Sequence, residues 1–568
     1  MSRQRRLIVD ALFLGVVGAL SAQVFMFLLH LAQKIFLIGL AGYHPPGLPE
    51  EGGVLQQAIG PHGLWLIPVA TTLGGLLSGL LVYTFAPEAE GHGTDTAVKA
   101  FHRTAGFIRD RVAPLKAVAS AITIGSGGAA GREGPTALIS AGVGSTYATL
   151  THRSDEDRRL LVLIGMAAGL SAIFRSPIGT AFFAIEVLYG NMEFEAGALL
   201  YTLLASVVAY TVNGLFVGWQ PLFSVPANLA VPGFADYFAY AGLGLVAGVV
   251  AAAVPMIFYG LRDAFHAIPL PPHVKPAIGG LGVGLLALVW PQVLGGGYGW
   301  IQEAMDGHLA LKLLFALVFL KMIAFALTVS SGGSGGVFAP TLFVGAMLGG
   351  GLALVFHQPS APFVIVGMAA LFGGAARVPI ATLLMVTEMT GGYHFFVPAA
   401  LAVTVSYFIQ VLLSSRLKYK SLYEAQVPGR PDSAAHHRYY LETALRILRE
   451  DKDLALKTKE HLDLRRLLAA GVPVDLPDGR QIVLGKLRPG SEFEGKTLGD
   501  VLEELAAEDS EIVAVFREGH TLLPQEGLTL EAGDSILAVV PAEGRARLEK
   551  HLMPLGTEKE TALGEAAV

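Results

Sequence analysis

Glu133 stands in GSGGAAGREGPT, Gly125–Thr136, an acid among glycines directly ahead of a proline in an otherwise apolar stretch. A second glycine-rich break, SGGSGGVFAPT, Ser331–Thr341, carries the same frame 205 residues later without the acid. Both run into apolar, helix-compatible sequence, and Pro135 and Pro340 suit the first helical turn, where a missing N–H costs nothing. The amides of Arg132, Glu133 and Gly134, and those of Val337, Phe338 and Ala339, are then free donors at the positive ends of two helix dipoles. Inside a bilayer such breaks survive only where they are packed in protein or line a cavity. Two of them converging near the midplane make an anion site without a fixed cation. Glu133 becomes a tethered anion that competes with a permeant one for the same donors, and protonation or displacement releases it. A capping glutamate that never moves is the plainer alternative.

The elements that hold these segments form a repeat. GMAAGLSAIFRSPIGTAFFAIE, Gly165–Glu186, superposes on GMAALFGGAARVPIATLLMVTE, Gly367–Glu388, at a shift of 202, matching Arg175 to Arg377, Pro177 to Pro379 and Glu186 to Glu388. Two motifs in the same order at nearly one offset imply two homologous halves, as in many secondary transporters. Their relative orientation is open at this level. Arg175 and Arg377 are expected to be structural or snorkelling residues, and Glu186 and Glu388 buried, hydrogen-bonded structural carboxylates.

The surrounding chain is too apolar for a soluble protein of 568 residues, with 53% hydrophobic and 15% charged residues. Charge-free runs of spanning length recur at Ala11–Gln33, Leu64–Ala86, Tyr237–Gly260 and Phe395–Ser415. The 138 residues from Pro431 onward carry as many charged side chains as the 430 before them, so a membrane domain is followed by a soluble tail. Arg3, Arg5 and Arg6 precede the first span and Arg416, Lys418 and Lys420 follow the last. Both ends are therefore expected in the cytoplasm of a multi-pass protein of the cell (inner) membrane, with an even number of full crossings. Absence of cysteine excludes disulfides and thiolate metal sites. No catalytic triad, metal cluster or nucleotide loop argues for an enzyme, no metal or cofactor is called for, and no nucleic acid partner is expected.

At this point the residues resemble the CLC family of chloride channels and chloride/proton exchangers. GREGP, Gly131–Pro135, and GGVFAP, Gly335–Pro340, look like two of its signatures, APEAEGHGTDTAV, Ala86–Val98, like a variant of a third, and KSLYEA, Lys420–Ala425, like its pore-tyrosine segment. The resemblance implies an all-α polytopic membrane protein with two inverted-topology repeats, a homodimer with one anion pathway per subunit. It implies chloride held by the amides around Arg132, Gly134, Val337 and Phe338 and by the Tyr423 hydroxyl, with Glu133 as external gate. The intact GREGP segment favours chloride over fluoride.

Two departures follow from the same resemblance. His92, in Gly91-His92-Gly93, takes the place of the usual pore serine and Asp95 that of a proline, so His92 and Gly93 are candidates for the inner anion site. Val187 falls where exchangers carry the inner proton-transfer glutamate, and Glu186 cannot replace it, since one helical residue turns a side chain by about 100°. Proton exchange is preferred by a narrow margin, with a passive chloride channel or uncoupled carrier as the alternative.

Residues 1–425 are assigned to the membrane domain, 426–484 to a helical linker, 485–555 to a small α+β domain and 556–568 to a tail. The linker includes a charged, leucine-spaced stretch over 437–470. The α+β pattern has a helix at Thr497–Ala507, strands at Ile512–Arg517 and Ser535–Val540, and a final helix at Gly544–Leu552. GKTL (Gly495–Leu498), VFREG and the Gly533-Asp534 turn resemble the TrkA-C or RCK-C module of potassium-channel regulatory proteins. That resemblance implies dimerisation, as a passive clamp or with a small nucleotide effector. A potassium transporter is disfavoured by the lack of a TVGYG-like filter. A membrane sensor would leave the two cavity-lining breaks and the intramembrane glutamate unexplained.

Overall fold

A computed structural model of the chain describes residues 2–226, 232–430, 433, 474–475, 480–505, 510–517, 520–522 and 524–553. Two compact units divide it, Met1–Arg430 and Pro431–Val568. The stretch 437–470 and the tail 556–568 lie outside the described residues.

The membrane unit is two runs of eight helices. The first comprises α1 (Arg3–Gln33), α2 (Ile67–Phe85), α3 (Thr94–Arg103), α4 (Val112–Gly125), α5 (Glu133–Leu150), α6 (Asp155–Phe174), α7 (Pro177–Glu186) and α8 (Leu199–Val217). The second comprises α9 (Asp236–Ala267), α10 (Lys275–Ala287), α11 (Tyr298–Met305), α12 (Leu311–Ser330), α13 (Phe338–Val355), α14 (Ser360–Ala375), α15 (Pro379–Thr390) and α16 (Phe396–Ser414). Packing repeats with them: α1 lies on α6 and α8 as α9 lies on α14 and α16, while α2 meets α10 and α7 meets α15 across the halves. All four charge-free runs fall on helices long and apolar enough to cross a membrane, and seven such helices occur among the described residues. The unit is otherwise helical apart from a two-residue strand pair, β1 (Tyr43–His44) with β2 (Ala58–Ile59).

Chain direction and symmetry are fixed at the breaks. Gly131 and Gly336, equivalents at the 205-residue shift, exchange both backbone hydrogen bonds at 2.7 Å in an antiparallel bridge. A residue paired reciprocally with its own repeat equivalent lies on a local two-fold axis, as inverted halves require. Arg175 and Arg377, equivalents at the 202-residue shift, both adopt φ of +55°, a left-handed conformation that ends α6 in the first half. The two residues carry the same backbone strain in both halves, which supports one inherited turn over coincidence.

The second unit is an antiparallel sheet in the order β3 (Val474–Asp475), β4 (Arg480–Leu487), β7 (Ser535–Pro541), β5 (Glu511–Arg517), β6 (His520–Leu522), with β8 (Leu552–Met553) also on β4. Its helices are α17 (Leu498–Leu505) and α18 (Ala542–His551). Val483, Leu487, Leu498, Val501, Ile536 and Leu548 share its core. Two boundaries differ from the sequence expectation. Gln426–Arg430 stay with the membrane unit, where the Gly190 amide donates to the Val427 carbonyl at 2.9 Å. β4 starts five residues before 485, because Arg480–Lys486 pair with β7 from Pro541 back to Ser535, a register that only the partner strand reveals. The VFREG strand end and the Gly533-Asp534 turn meet, since Arg517 holds buried Asp534 through two 2.8 Å hydrogen bonds.

Candidate functional site

Three backbone breaks converge at the centre of the membrane unit. α5 begins at Glu133 and α13 at Phe338, and among the described residues the amides of Arg132–Gly134 and Val337–Ala339 donate to no backbone carbonyl. The third break precedes α3: Gly93, at φ +86°, lies so close to α5 that a β-carbon there would come within 2.6 Å of the Gly134 carbonyl. A β-carbon at Gly134 would in turn strike the His92 carbonyl at 2.0 Å and approach Gly336 at 3.0 Å. Glycine is required at these positions because backbone meets backbone.

Two buried lysines bolt the loops in place. Lys116 on α4 donates to the Ala89 and Gly91 carbonyls at 2.9 and 2.6 Å. Lys321 on α12, its equivalent at the same 205-residue shift, donates to those of Val293, Leu294 and Gly295 at 2.8, 3.3 and 2.7 Å. Each loop then turns through a left-handed glycine, Gly93 or Gly297, and starts a short helix, α3 or α11. The first residues of these helices are Thr94 and Tyr298.

Glu133 is buried. The Tyr298 hydroxyl donates to its Oε1. Its own amide and that of Ala339, in the first turn of α13, face the carboxylate, although Oε2 has no well-formed hydrogen bond. The carboxylate therefore occupies the mouth of the opposite half's helix start, where its negative charge meets the dipole. Arg132 supplies a backbone position, and its Nε also lies 3.9 Å from Glu133 Oε1. Its guanidinium pairs bidentately with Glu51 at 3.1 and 2.6 Å and lies 4.7 Å from the Tyr298 ring centroid. Beside it is a cavity of about 510 Å³ lined by His30, Glu50, Glu51, Arg132, Arg175 and Asn213.

Phe338 packs against Phe174 and Phe372 at 4.5 and 4.2 Å between ring centroids. Phe183 and Phe372 in turn contact Tyr423, at 6.3 and 6.4 Å. Tyr423 is buried next to the His92 ring, 5.4 Å away, and the Thr94 side chain lies by its hydroxyl. His92 Nε2 is 3.7 Å from Asp95 Oδ2, while its buried Nδ1 has no hydrogen bond. Asp95 accepts from the Ala425 amide at 3.0 Å and so ties the α3 turn to the pore-tyrosine segment. Val187 is fully buried at the end of α7 and brings no polar group.

Glu186 and Glu388 cap one another's halves. The Ile380 and Ala381 amides at the start of α15 donate to Glu186 at 3.2 and 2.7 Å. Those of Ile178 and Gly179 at the start of α7, with the Ser176 hydroxyl, donate to Glu388. Glu186 is buried as expected, but Glu388 is only half-buried, since its helix end reaches a more open edge. Arg175 and Arg377 are structural, donating to the Gln220 and Glu50 carbonyls and to Gln410 and Ser414 respectively.

Glu133, Gly134, Val337 and Phe338 thus meet at the junction of the two helix starts, Gly93 and the His92 backbone pack against it, and Tyr423 with the His92 ring adjoins through the aromatic cluster. Four residues of the site, Tyr298, Glu51, Lys116 and Lys321, escaped the sequence reading. The lysines had a detectable signal, LKAVA against LKMIA at the same offset as the breaks. Tyr298 and Glu51 had none, because nothing in their spacing says that they reach Glu133 and Arg132.

Such a site, amide-rich helix starts facing one another across a two-fold in a multi-pass protein, defines a two-repeat membrane transport protein. The family profile described as voltage gated chloride channel matches residues 74–411, and a TrkA-C domain profile matches 486–553. A ClcB-like chloride channel protein of Ralstonia nicotianae is 31% identical over 354 residues, covering 60% of this chain and 82% of that protein. An H(+)/Cl(-) exchange transporter ClcA of Salmonella arizonae is 30% identical over 386 residues, covering 65% and 81%. The chain belongs to the CLC family of voltage gated chloride channels. In fold it is similar to the crystal structure of a slow cyanobacterial Cl-/H+ antiporter, with a TM-score of 0.63 at 22% identity over 72% of this chain and 95% of that one. It is equally similar to a CLC-type fluoride/proton antiporter, at TM-score 0.63 and 22% identity over 75% and 100%.

Proposed function

We propose that the protein carries chloride across the cell (inner) membrane in exchange for protons, with both termini cytoplasmic and Glu133 as the gate. One observation carries this reading: the Glu133 carboxylate lies against the Ala339 amide in the first turn of the opposite half's helix, so an anion entering there must displace it or wait for its protonation. Chloride would be held by the amides around Arg132, Gly134, Val337 and Phe338, and by the Tyr423 hydroxyl. Buried His92, with Nδ1 unpaired, would modulate the far end beside Gly93. The name of the Salmonella relative supports exchange. The working unit is taken as a homodimer, and the TrkA-C domain as a clamp able to take a small nucleotide effector.

Val187 favours a second reading, a passive channel or uncoupled carrier, because a buried valine passes no proton. Purified protein in liposomes with a chloride gradient, with external chloride and pH recorded together, separates the two. Uphill proton movement that stops in Glu133→Ala establishes exchange, and chloride movement without protons establishes the passive mode. Folded protein with no chloride flux overturns both.

A further inference from the structure

The turn that starts α11 does not by itself call for Tyr298. Its equivalent at the start of α3 is Thr94, which follows the same left-handed glycine and the same lysine-bolted loop. The same turn therefore forms with a short side chain in the first half, and the tyrosine adds reach. Its ring is held independently of Glu133, with the Arg132 guanidinium 4.7 Å from its centroid and Phe223 at 6.0 Å. Arg132 is itself fixed by Glu51. The hydroxyl at the end of this clamped ring donates to Glu133 Oε1.

We propose that Tyr298 is a latch: its hydroxyl, aimed by the Glu51–Arg132 pair, holds the ionised Glu133 side chain in the anion pathway and so sets how readily the gate opens. This rests on the reading of Glu133 as the gate. A hydrogen bond to a carboxylate favours its charged form and is stronger than one between neutral groups. The latch therefore delays protonation and opposes displacement by an incoming anion, while the ring itself stays in place as the carboxylate leaves. Other titratable or charged groups around the pair are His30, Glu51, Arg132, Arg175, Lys321 and Tyr423, so the test must isolate the Glu133 contribution.

Chloride efflux from liposomes is measured against external pH for wild type, Tyr298→Phe, Glu133→Gln and the double variant. Tyr298→Phe keeps the ring and removes the donor, so the pH of half-maximal efflux moves toward alkaline by about one unit, as expected for loss of a charge-assisted hydrogen bond. Replacing Tyr298 by 3-fluorotyrosine, a stronger donor of nearly the same shape, moves it toward acid. In the Glu133→Gln background neither change moves the profile. Reduced protein quality alone would scale flux equally at every pH and leave the half-point in place. An unmoved half-point in both Tyr298 variants, with a pH dependence that Glu133→Gln still abolishes, overturns the latch and leaves the gate standing. A profile indifferent to Glu133→Gln removes the gate and the latch together. Should Tyr298→Phe fail to fold, the 3-fluorotyrosine arm decides alone.

Discussion

The two halves of the membrane unit share their scaffold and differ in their chemistry. Held in common are the Gly131–Gly336 bridge, the lysine bolts Lys116 and Lys321, the left-handed Arg175 and Arg377, and the exchanged caps of Glu186 and Glu388. Each of these satisfies or bends backbone that has no water to turn to. At the helix starts the halves part: Glu133 is matched by Phe338, Thr94 by Tyr298 and His92 by Gly296. A scaffold serving two helix starts can be doubled, whereas a pathway with a gate needs one end unlike the other.

The largest effect tests that asymmetry. Glu133→Gln should abolish the pH dependence of chloride efflux, whereas Phe338→Leu, its equivalent across the repeat, should leave that dependence in place and change only rate. A gate shared between the halves would make the two variants alike.

Scaffold equivalents should instead behave in parallel. Lys321→Met orphans buried carbonyls at ~1–3 kcal/mol apiece, whereas in Lys116→Met the Ala89 and Gly91 carbonyls keep the Ser334 hydroxyl and the Gly335 amide, so both variants lower the detergent melting temperature but not equally. Lys321→Met should lower it further, since Lys321 serves three carbonyls and Lys116 two.

A smaller difference is expected between the exchanged caps. Glu186→Gln should destabilise more than Glu388→Gln in the same melting assay, because a half-buried cap can be replaced by water. Equal losses would mean that burial does not decide the contribution of these carboxylates.

The smallest effect lies in the soluble unit, which relies on local capping rather than on contacts between halves. Thr497 and Asp500 bond each other at the start of α17, and the Thr497 hydrogen bonds hold the Asp500 carboxyl below its usual range. This contribution is present above the ordinary aspartate range and is lost as pH falls through the lowered value. Hydrogen exchange of the α17 amides should be faster in Thr497→Ala at neutral pH, and the difference from wild type should close in acid.

Local signals carried far in this chain. The four charge-free runs became helices, and the strands at Ile512–Arg517 and Ser535–Val540 lie within β5 and β7. Both follow from periodicity and apolar run length, which are properties of neighbours in sequence. β4 reaches back to Arg480, ahead of 485, because strand extent depends on pairing with β7, which only the fold brings alongside.

By itself the sequence determined that the chain is a duplicated, multi-pass membrane protein with two helix starts open to an anion and a carboxylate at one of them, because glycine, proline and glutamate at fixed spacing constrain backbone hydrogen bonding wherever they occur. Only the tertiary structure decided that the two starts meet at Gly131 and Gly336, that each half's glutamate caps the other's helix, and that Tyr298, 165 residues from Glu133, closes on it. Those contacts join residues with no local relation in the chain, and their partners are selected by the two-fold packing of the halves.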